Sequence, residues 1–458
     1  MRFHGYVPAL VIAGTILFAP LGAGAQTPPV LSLADAVRYA LAHNPTVAQQ
    51  VAALAQAQGA LALQKGQTYP TVSGSLQSYL TKSSSSYGGA YQVIGAQQQN
   101  VFSQNTASIG TQYTLNAGGL GLLKLAEAQA QVDQAAATLK RTREQIASSV
   151  TAAYYGILQK LSIVAIDQND LDYQNLLVKA AQAKERAGAA AGVDVLRAQV
   201  AQEKSSSTLV ADRAAVSNAM ESLAQSIDAP IESTFSPLFF KQPPLPQGTV
   251  ETLVSIAESS RPDLLAAELA LHGAQLTRKN FDRELFPQIQ FSGSFGNQFS
   301  PTTFVLEQSA IPNLSRGSAG YWTMGATTSF TLPFVDYGAR HTERIQDDAG
   351  ITSAQAALDA ARGQVELDVR QTYRAAQTAQ TQLAYATDEQ RLGKEAARIA
   401  QLQYQNGIIA FSDVAQAEQT SVTAQSDYVN ADVAYINAIV NLRVALGTYD
   451  ADNATADL

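Results

Sequence analysis

The amino-acid sequence contains two copies of one unit, and this duplication limits the possible folds more than any other feature. Pro45 and Pro70 recur as Pro262 and Pro287, in both cases 217 positions later. Further along each copy the offset becomes 219. The residue pairs at this second offset include Ile146 and Val365, Val150 and Val369, Tyr154 and Tyr373, Gly188 and Gly407, Asp194 and Asp413, and Leu223 and Leu442. A repeat of this length, kept in order, predicts two structural units of the same design.

Each copy contains a long stretch without proline. Residues 120–229 and 334–458 are proline-free and rich in Ala, Gln, Leu and Glu, which favour helices. An apolar stripe with steps of three and four runs through the first stretch and skips one place, at Arg143, as in a coiled coil. Such a helix would be about 100 Å long and needs a partner along its length. The predicted long helices are 120–186, 194–228, 339–405 and 412–446.

Two windows with almost no charge precede the long helices. Residues 71–119 contain Lys82 as their only charged residue, and residues 288–332 contain only Glu307 and Arg316. Apolar residues alternate there with Ser, Thr, Gln and Gly, which is typical of strands with one face in lipid and one lining water. A soluble sheet would normally carry Lys or Glu on its wet face. The predicted strands are 72–80, 107–115, 288–298 and 321–332, joined by polar loops at 81–106 and 300–319.

The strand number determines the architecture that we expect. Each copy reads helix, strand, loop, strand, very long helix, turn, long helix, and four strands cannot close a barrel in a membrane. Three chains would give twelve strands, and two would give eight. Because the long helices follow the strands directly, they should continue the barrel as a helical cylinder. The copies are residues 26–228 and 250–447, with a proline-rich linker at 229–249 and a tail at 448–458.

The N-terminus and the composition exclude several classes of protein. Arg2, an apolar run over 7–21 and Ala23–Ala25 form a signal-peptide pattern, so residues 1–25 should be removed on export. No later stretch is apolar enough for a membrane-spanning helix. The net charge of −8 disfavours nucleic acid as a partner, and the absence of cysteine excludes thiolate metal sites and a lipidated N-terminal cysteine.

With the duplication established, the sequence resembles the TolC-type outer-membrane channel family of Gram-negative bacteria over nearly the whole mature chain. The resemblance implies a mainly α protein with β structure: a coiled-coil α-helical barrel continuous with a twelve-stranded transmembrane β-barrel that a homotrimer completes. It implies an exit duct for efflux or type I secretion, served by a periplasmic adaptor and an inner-membrane transporter of the RND or ABC type. The motifs that carry it are Leu31–Ala36, Asn44–Pro45, Arg261–Leu264, Asp336–Arg340, Tyr404–Gly407, Asp413–Val414 and Asn441–Gly447.

In such channels the tips of the helical hairpins form the periplasmic entrance. Asp194 and Asp413 would place six carboxylates around a threefold aperture, or each would cap its helix. Ile409 and Gln416 depart from the family's tip pattern, so any lock on the closed tip must use other partners. The residues expected at the tips, for the turns, for packing or for docking of an adaptor, are Gly188, Gly407, Tyr404, Val195 and Val414.

No enzymatic pattern accompanies these features. His43, His272 and His341 have no metal-ligand spacing, and the glycines at 118–121 lack the Lys-Ser/Thr of a phosphate loop. We therefore expect no catalytic residue, metal or cofactor. The alternative hypothesis is an exported coiled-coil structural or adhesive protein with β segments for assembly, which leaves the charge-free alternating windows unexplained.

Overall fold

The computed structural model describes residues 32–85, 98–116, 118–188, 191–227, 242–305, 313–329 and 337–450. The predicted signal peptide lies outside these residues. The first copy contains α1 (Leu33–His43), α2 (Pro45–Gly66), β1 (Thr71–Ser85), β2 (Gln98–Asn116), α3 (Leu120–Arg186) and α4 (Gly192–Ile227). The second contains α5 (Val250–Ser260), α6 (Pro262–Arg283), β3 (Gln288–Val305), β4 (Asn313–Ser329), α7 (Ala339–Gln405) and α8 (Phe411–Leu446). The duplication is confirmed, since α3 and α7 each have 67 residues and α4 and α8 each have 36.

Each copy begins with two helices, where the sequence predicted one. The break falls at Asn44 and at Arg261, which adopt extended backbone with ψ of 127° and 123°. Each precedes a proline, and the proline ring excludes helical geometry from the residue before it while favouring the first position of a new helix. Asn44 also caps α2 by accepting a hydrogen bond from the Thr46 amide. The prolines that mark the repeat therefore also end one helix and start the next.

The four strands form one antiparallel sheet in the order β1-β2-β3-β4. The register pairs Ile109 with Phe295, and Phe295 with Trp322. Because directly paired residues share a face, most of the apolar residues of the four strands lie on the same side of the sheet, whereas Tyr79 lies on the other. These side chains are largely exposed, as Leu76 (83%) and Met324 (85%) illustrate. The other side carries polar contacts such as the 2.7 Å bond between the hydroxyls of Ser75 and Ser108.

The strands are longer than the sequence predicted, and the predicted polar loops are partly wrong. β1 continues to Ser85 and β2 starts at Gln98, while β3 continues to Val305 and β4 starts at Asn313. The ladder hydrogen bonds are made by the main chain, so a run of Ser, Asn and Gln can extend a strand that apolar alternation does not reveal. The last three residues of the predicted strand 321–332 lie outside the described residues.

Two of the apolar clusters between the helices share α8, which contributes to both. Val150 and Ile157 of α3 are fully buried against α1, α4 and α8, whereas Val369 of α7 packs with α5 and α8. α3 is also long and apolar enough to cross a membrane by length and composition, contrary to the sequence expectation. Within the structure, 28% of that apolar window is buried, and Ile157 and Leu158 of α3 belong to the first apolar cluster.

The described end of the predicted linker packs against the second copy. Gln242 donates a hydrogen bond to Asp432 at 2.9 Å, and the Tyr435 hydroxyl donates to the Pro243 carbonyl at 2.8 Å. Both partners belong to α8, so residues 242–249 are fastened to the helices of the second copy. Residues 228–241 lie outside the described residues.

Candidate functional site

Both helical hairpins turn at a glycine with left-handed backbone. Gly188 follows α3 with φ of 70°, and Gly407 follows α7 with φ of 73°. The Gly407 amide donates to the Tyr404 carbonyl at 3.0 Å, and the Ile408 amide donates to the Gln403 carbonyl at 2.8 Å, which closes the end of α7. A side chain at either glycine would strain this conformation, so the glycines are required by the turns.

Asp194 and Asp413 lie in the first turn of α4 and α8, and the prediction that they cap these helices is wrong. α8 is capped at Ala410 without a side-chain hydrogen bond, and the Asp413 amide donates to the Ala410 carbonyl. The Asp194 amide donates to the Ala191 carbonyl in the same way. In this position a carboxylate stabilises the helix through the partial positive charge of its N-terminus.

The two aspartates have different surroundings. Asp194 is half-buried and lies 3.6 Å from the guanidinium of Arg197. Burial, together with the nearby Asp194 charge, raises the pKa of the Tyr404 phenol. Asp413 is exposed, and its carboxylate accepts a hydrogen bond from the Ser412 hydroxyl at 3.2 Å. The first aspartate therefore faces the opposite hairpin, and the second faces solvent.

A third apolar cluster joins the two hairpins near their tips. Tyr404 is 6% exposed, and its ring meets Phe411 edge to face at 6.1 Å between centroids. Val195 and Val414 are buried in the same cluster, and Ile409 packs against it. Tyr404, Val195 and Val414 therefore hold the tips together, whereas Gly188 and Gly407 are exposed.

Lys184 provides a polar link between the hairpins that the sequence did not reveal. Its ammonium donates to the Tyr404 carbonyl at 2.6 Å and lies 3.6 Å from the centroid of the Tyr404 ring. Lysines in the last turn of a helix usually interact with that helix's own C-terminus or with water. Only the fold brings Lys184 to a residue 220 positions away. We call these two contacts between Lys184 and Tyr404 the Lys184 lock. Ile409 contributes only apolar packing nearby.

An open groove separates α4 from α8 beside the tips. Val193, Leu196 and Val200 line it from α4 with half or more of each side chain exposed, while Gln416 and Val422 line it from α8. The volume of this α4–α8 groove is about 550 Å³. Exposed apolar side chains on one helical face indicate a surface that another molecule can cover.

Within the described ranges, no group of three or more His, Asp or Glu side chains is arranged to hold a metal ion. The site therefore consists of helix ends, an apolar cluster, a lysine lock and a groove. These features hold the two hairpins together near their tips.

A sequence model of the outer membrane efflux protein family matches residues 36–228 and 253–448, one segment in each copy. The chain belongs to the outer membrane efflux protein family. The resemblance to TolC-type channels is thereby confirmed, and the family and fold are those of channels. No protein with a curated description matches the chain significantly.

Solved structures of channels share the fold along almost the whole chain. The CmeC outer membrane channel of Campylobacter jejuni is 15% identical with a TM-score of 0.74, covering 96% of this chain and 94% of its own. The open-state MtrE channel of Neisseria gonorrhoeae is 19% identical with a TM-score of 0.69, covering 91% and 88%. The outer-membrane channel OprN is 20% identical with a TM-score of 0.71, covering 91% and 89%. At these identities the likeness shows the fold.

Proposed function

We propose that this outer membrane efflux protein is the exit duct of a tripartite efflux pump or a type I secretion system in the outer membrane of a Gram-negative bacterium. Three copies would complete a twelve-stranded barrel in the lipid and a helical barrel in the periplasm. The channel itself would be passive, and an inner-membrane transporter with a periplasmic adaptor would open its tip.

The sheet carries this proposal. Among the residues that the structure describes, β1 and β4 are its edge strands, and one face carries largely exposed apolar side chains such as Leu76 and Met324. Unpaired strand edges in lipid cost several kcal/mol for each unsatisfied group, so this sheet requires further copies to close it. The long helices start directly after β2 and shortly after β4, which is the arrangement that a continuous duct needs.

The contacts at the tips support an entrance that is closed at rest. The Lys184 lock and the cluster around Tyr404 hold one hairpin against the other within a chain. Opening would separate these contacts while leaving the two hairpins themselves intact. Asp194 and Asp413 would contribute negative charge at the aperture and favour cations.

Purification from the outer membrane tests the proposal directly. We expect a trimer whose mobility in gel electrophoresis changes on heating and that forms ion-conducting pores in planar bilayers. A soluble, elongated periplasmic species without pores would instead support the exported structural protein.

The α4–α8 groove and the exposed Ile408 offer the surface for an adaptor. Because the chain has no cysteine, Val193→Cys and Ile408→Cys introduce single reactive sites near the tips. We expect both to crosslink to the adaptor in cells. Leu80→Cys on the sheet is the matched control, and crosslinks to the adaptor only there would contradict docking at the tips.

A further inference from the structure

An acidic cluster lies between α3, α4 and α8, above the tips and apart from the lock. It consists of Asp167 and Asp170 on α3, Asp212 on α4 and Glu418 on α8. Asp167 is 6% exposed, and its Oδ2 has no hydrogen-bond partner among the described residues. An ionised carboxylate that is buried without a donor is unfavourable, so this arrangement requires an explanation.

Two further buried groups beside the cluster also have an unpartnered acceptor. The Oε1 of Gln174 and the Oγ of Ser205 have no partner, and each residue is 7% exposed. Gln174, Ser205, Asp167 and Asp170 all line the α4–α8 groove, and the Gln174 amide donates to Asp170 at 3.0 Å. In the described part of the chain, the Oδ2 of Asp167 and the Oε1 of Gln174 therefore lack a donor, although the hydroxyls of Ser205 and Tyr173 nearby make no hydrogen bond.

The charges that face Asp167 and Glu418 raise the affinity of both carboxyls for protons. Burial, with a carboxyl–carboxyl hydrogen bond to Asp212 and the charges of Asp212 and Asp170, raises the pKa of Asp167 to about 7. Burial, with the charge of Asp170, raises the pKa of Glu418 to about 7. Tyr173 of α3 also faces Glu418, and burial raises its pKa to about 12, so it stays neutral.

No cationic group among the described residues of the neighbouring helices is among the charges that shift the pKa of Asp167 or Glu418. Lys204 and Arg197 of α4 line the groove, and the guanidinium of Arg213 donates to Gln168 at 2.8 Å. The charges that act on Asp167 are those of Asp212 and Asp170. The hydrogen that the buried Asp167 carboxyl lacks is therefore best supplied by a proton that it shares with a neighbouring carboxyl group.

We propose that the acidic cluster is a proton-operated clamp, which packs α3, α4 and α8 together when its carboxyls are protonated and loosens them when they ionise. The packed helices bind more protons than an unfolded chain, so packing is favoured as the pH falls. This stabilisation is complete below the ordinary carboxyl range and is lost as the pH rises through about 7. If the tips are the channel entrance, which rests on the proposed function, acid would make that entrance harder to open.

Hydrogen–deuterium exchange of the purified channel at about pH 5.5 and about pH 8.5 tests the clamp. After correction for the chemical exchange rate, we expect amides of residues 163–180 and 412–425 to exchange about tenfold or more slowly at the lower pH, since each unit of pKa shift corresponds to a factor of ten. Amides of residues 379–400 in the second hairpin should show no such change. Equal protection at both pH values, or more protection at the higher pH, would overturn the proposal.

Variants identify the carboxyls responsible. Asp167→Asn with Glu418→Gln should give slow exchange at both pH values, and Asp167→Asn alone should reduce the pH response by about half on a logarithmic scale. Glu389→Gln is the matched control, because Glu389 is the exposed equivalent of Asp170 in the second copy. A wild-type pH response in Asp167→Asn would also contradict the clamp. Exchange reports helix packing, so the clamp can fail while the channel proposal holds.

Discussion

The two helical hairpins have the same lengths and different interiors. At the positions of Asp167, Gln174 and Ser205 in the first hairpin, the second has Ala386, Gly393 and Ala424, all buried. The buried Ser421 of the second hairpin has a partner, since the Gln425 amide donates to it at 3.3 Å. The second hairpin is thus packed through small side chains, whereas the interior of the first contains polar groups that, on the proposed clamp, pair through protons. Duplication preserved the backbone while the interiors diverged.

The largest effect on stability should come from replacing Gly393 of the second hairpin with glutamine, the residue at the matching position 174 of the first. A Cβ at Gly393 would lie 3.4 Å from both the Ala424 Cβ and the Ser421 Cα, so Gly393→Gln forces the helices apart and buries an amide. Overpacking and the unpaired amide should cost about 2–4 kcal/mol after the gain in helix propensity. Thermal unfolding of the purified protein measures this loss.

Gly363→Gln on the same helix is the control for this substitution. Gly363 is exposed and a Cβ there has open space, so the change should stabilise the protein by up to about 1 kcal/mol. Equal melting temperatures for the two variants would mean that the second hairpin is not tightly packed at Gly393.

The next effect concerns the contact that joins the hairpins. Lys184→Met removes the ammonium that binds the Tyr404 carbonyl and ring but keeps the length of the side chain. A hydrogen bond to a charged group is worth about 1.5–3 kcal/mol, so the open-to-closed ratio should rise about tenfold or more. Single-channel recordings would show this as more frequent opening. Lys179 is an exposed neighbour on α3, so Lys179→Met should behave like the wild type. Identical recordings from the two variants would mean that Lys184 does not hold the hairpins closed.

The sequence predicted the fold class because duplication, proline placement and charge-free alternation are local patterns with few solutions. It placed the long helices and the sheet but ended the strands too early, since Ser, Gln and Asn between positions 81 and 106 resemble a loop. The breaks at Asn44 and Arg261 were not predicted, although a residue before proline is disfavoured in a helix.

The site was less predictable, because its contacts join residues that are far apart in the chain. Nothing around Lys184 indicates that its partner is Tyr404. The acidic cluster could have been found by comparing the copies, since Asp167 interrupts an apolar position that Ala386 occupies in the second. The different surroundings of Asp194 and Asp413 could not have been found in this way, because matching positions in a repeat need not have matching neighbours.

A reciprocal pair of substitutions should give a smaller effect. Ser205→Ala removes a buried hydroxyl without a partner and should stabilise the first hairpin by about 1 kcal/mol. Ala424→Ser introduces a hydroxyl against Gly393 and should destabilise the second hairpin by a similar amount. Denaturant midpoints of the two variants would therefore move in opposite directions. Shifts in the same direction would mean that the polar interior of the first hairpin is already satisfied.

The smallest effect should distinguish the two aspartates at the tips. Asp413 is exposed, whereas Asp194 is engaged by Arg197 and faces Tyr404, so Asp413 has more charge available to a cation at the aperture. We expect Asp413→Asn to weaken block of the channel by a trivalent cation about two- to fivefold, and Asp194→Asn to weaken it less, as exposed ion contacts are individually weak. Asp388→Asn, an exposed aspartate on α7 away from the tip, is the control. Equal block in all three variants would mean that neither aspartate lines the ion path, and a larger effect at Asp194 would place the constriction between the hairpins.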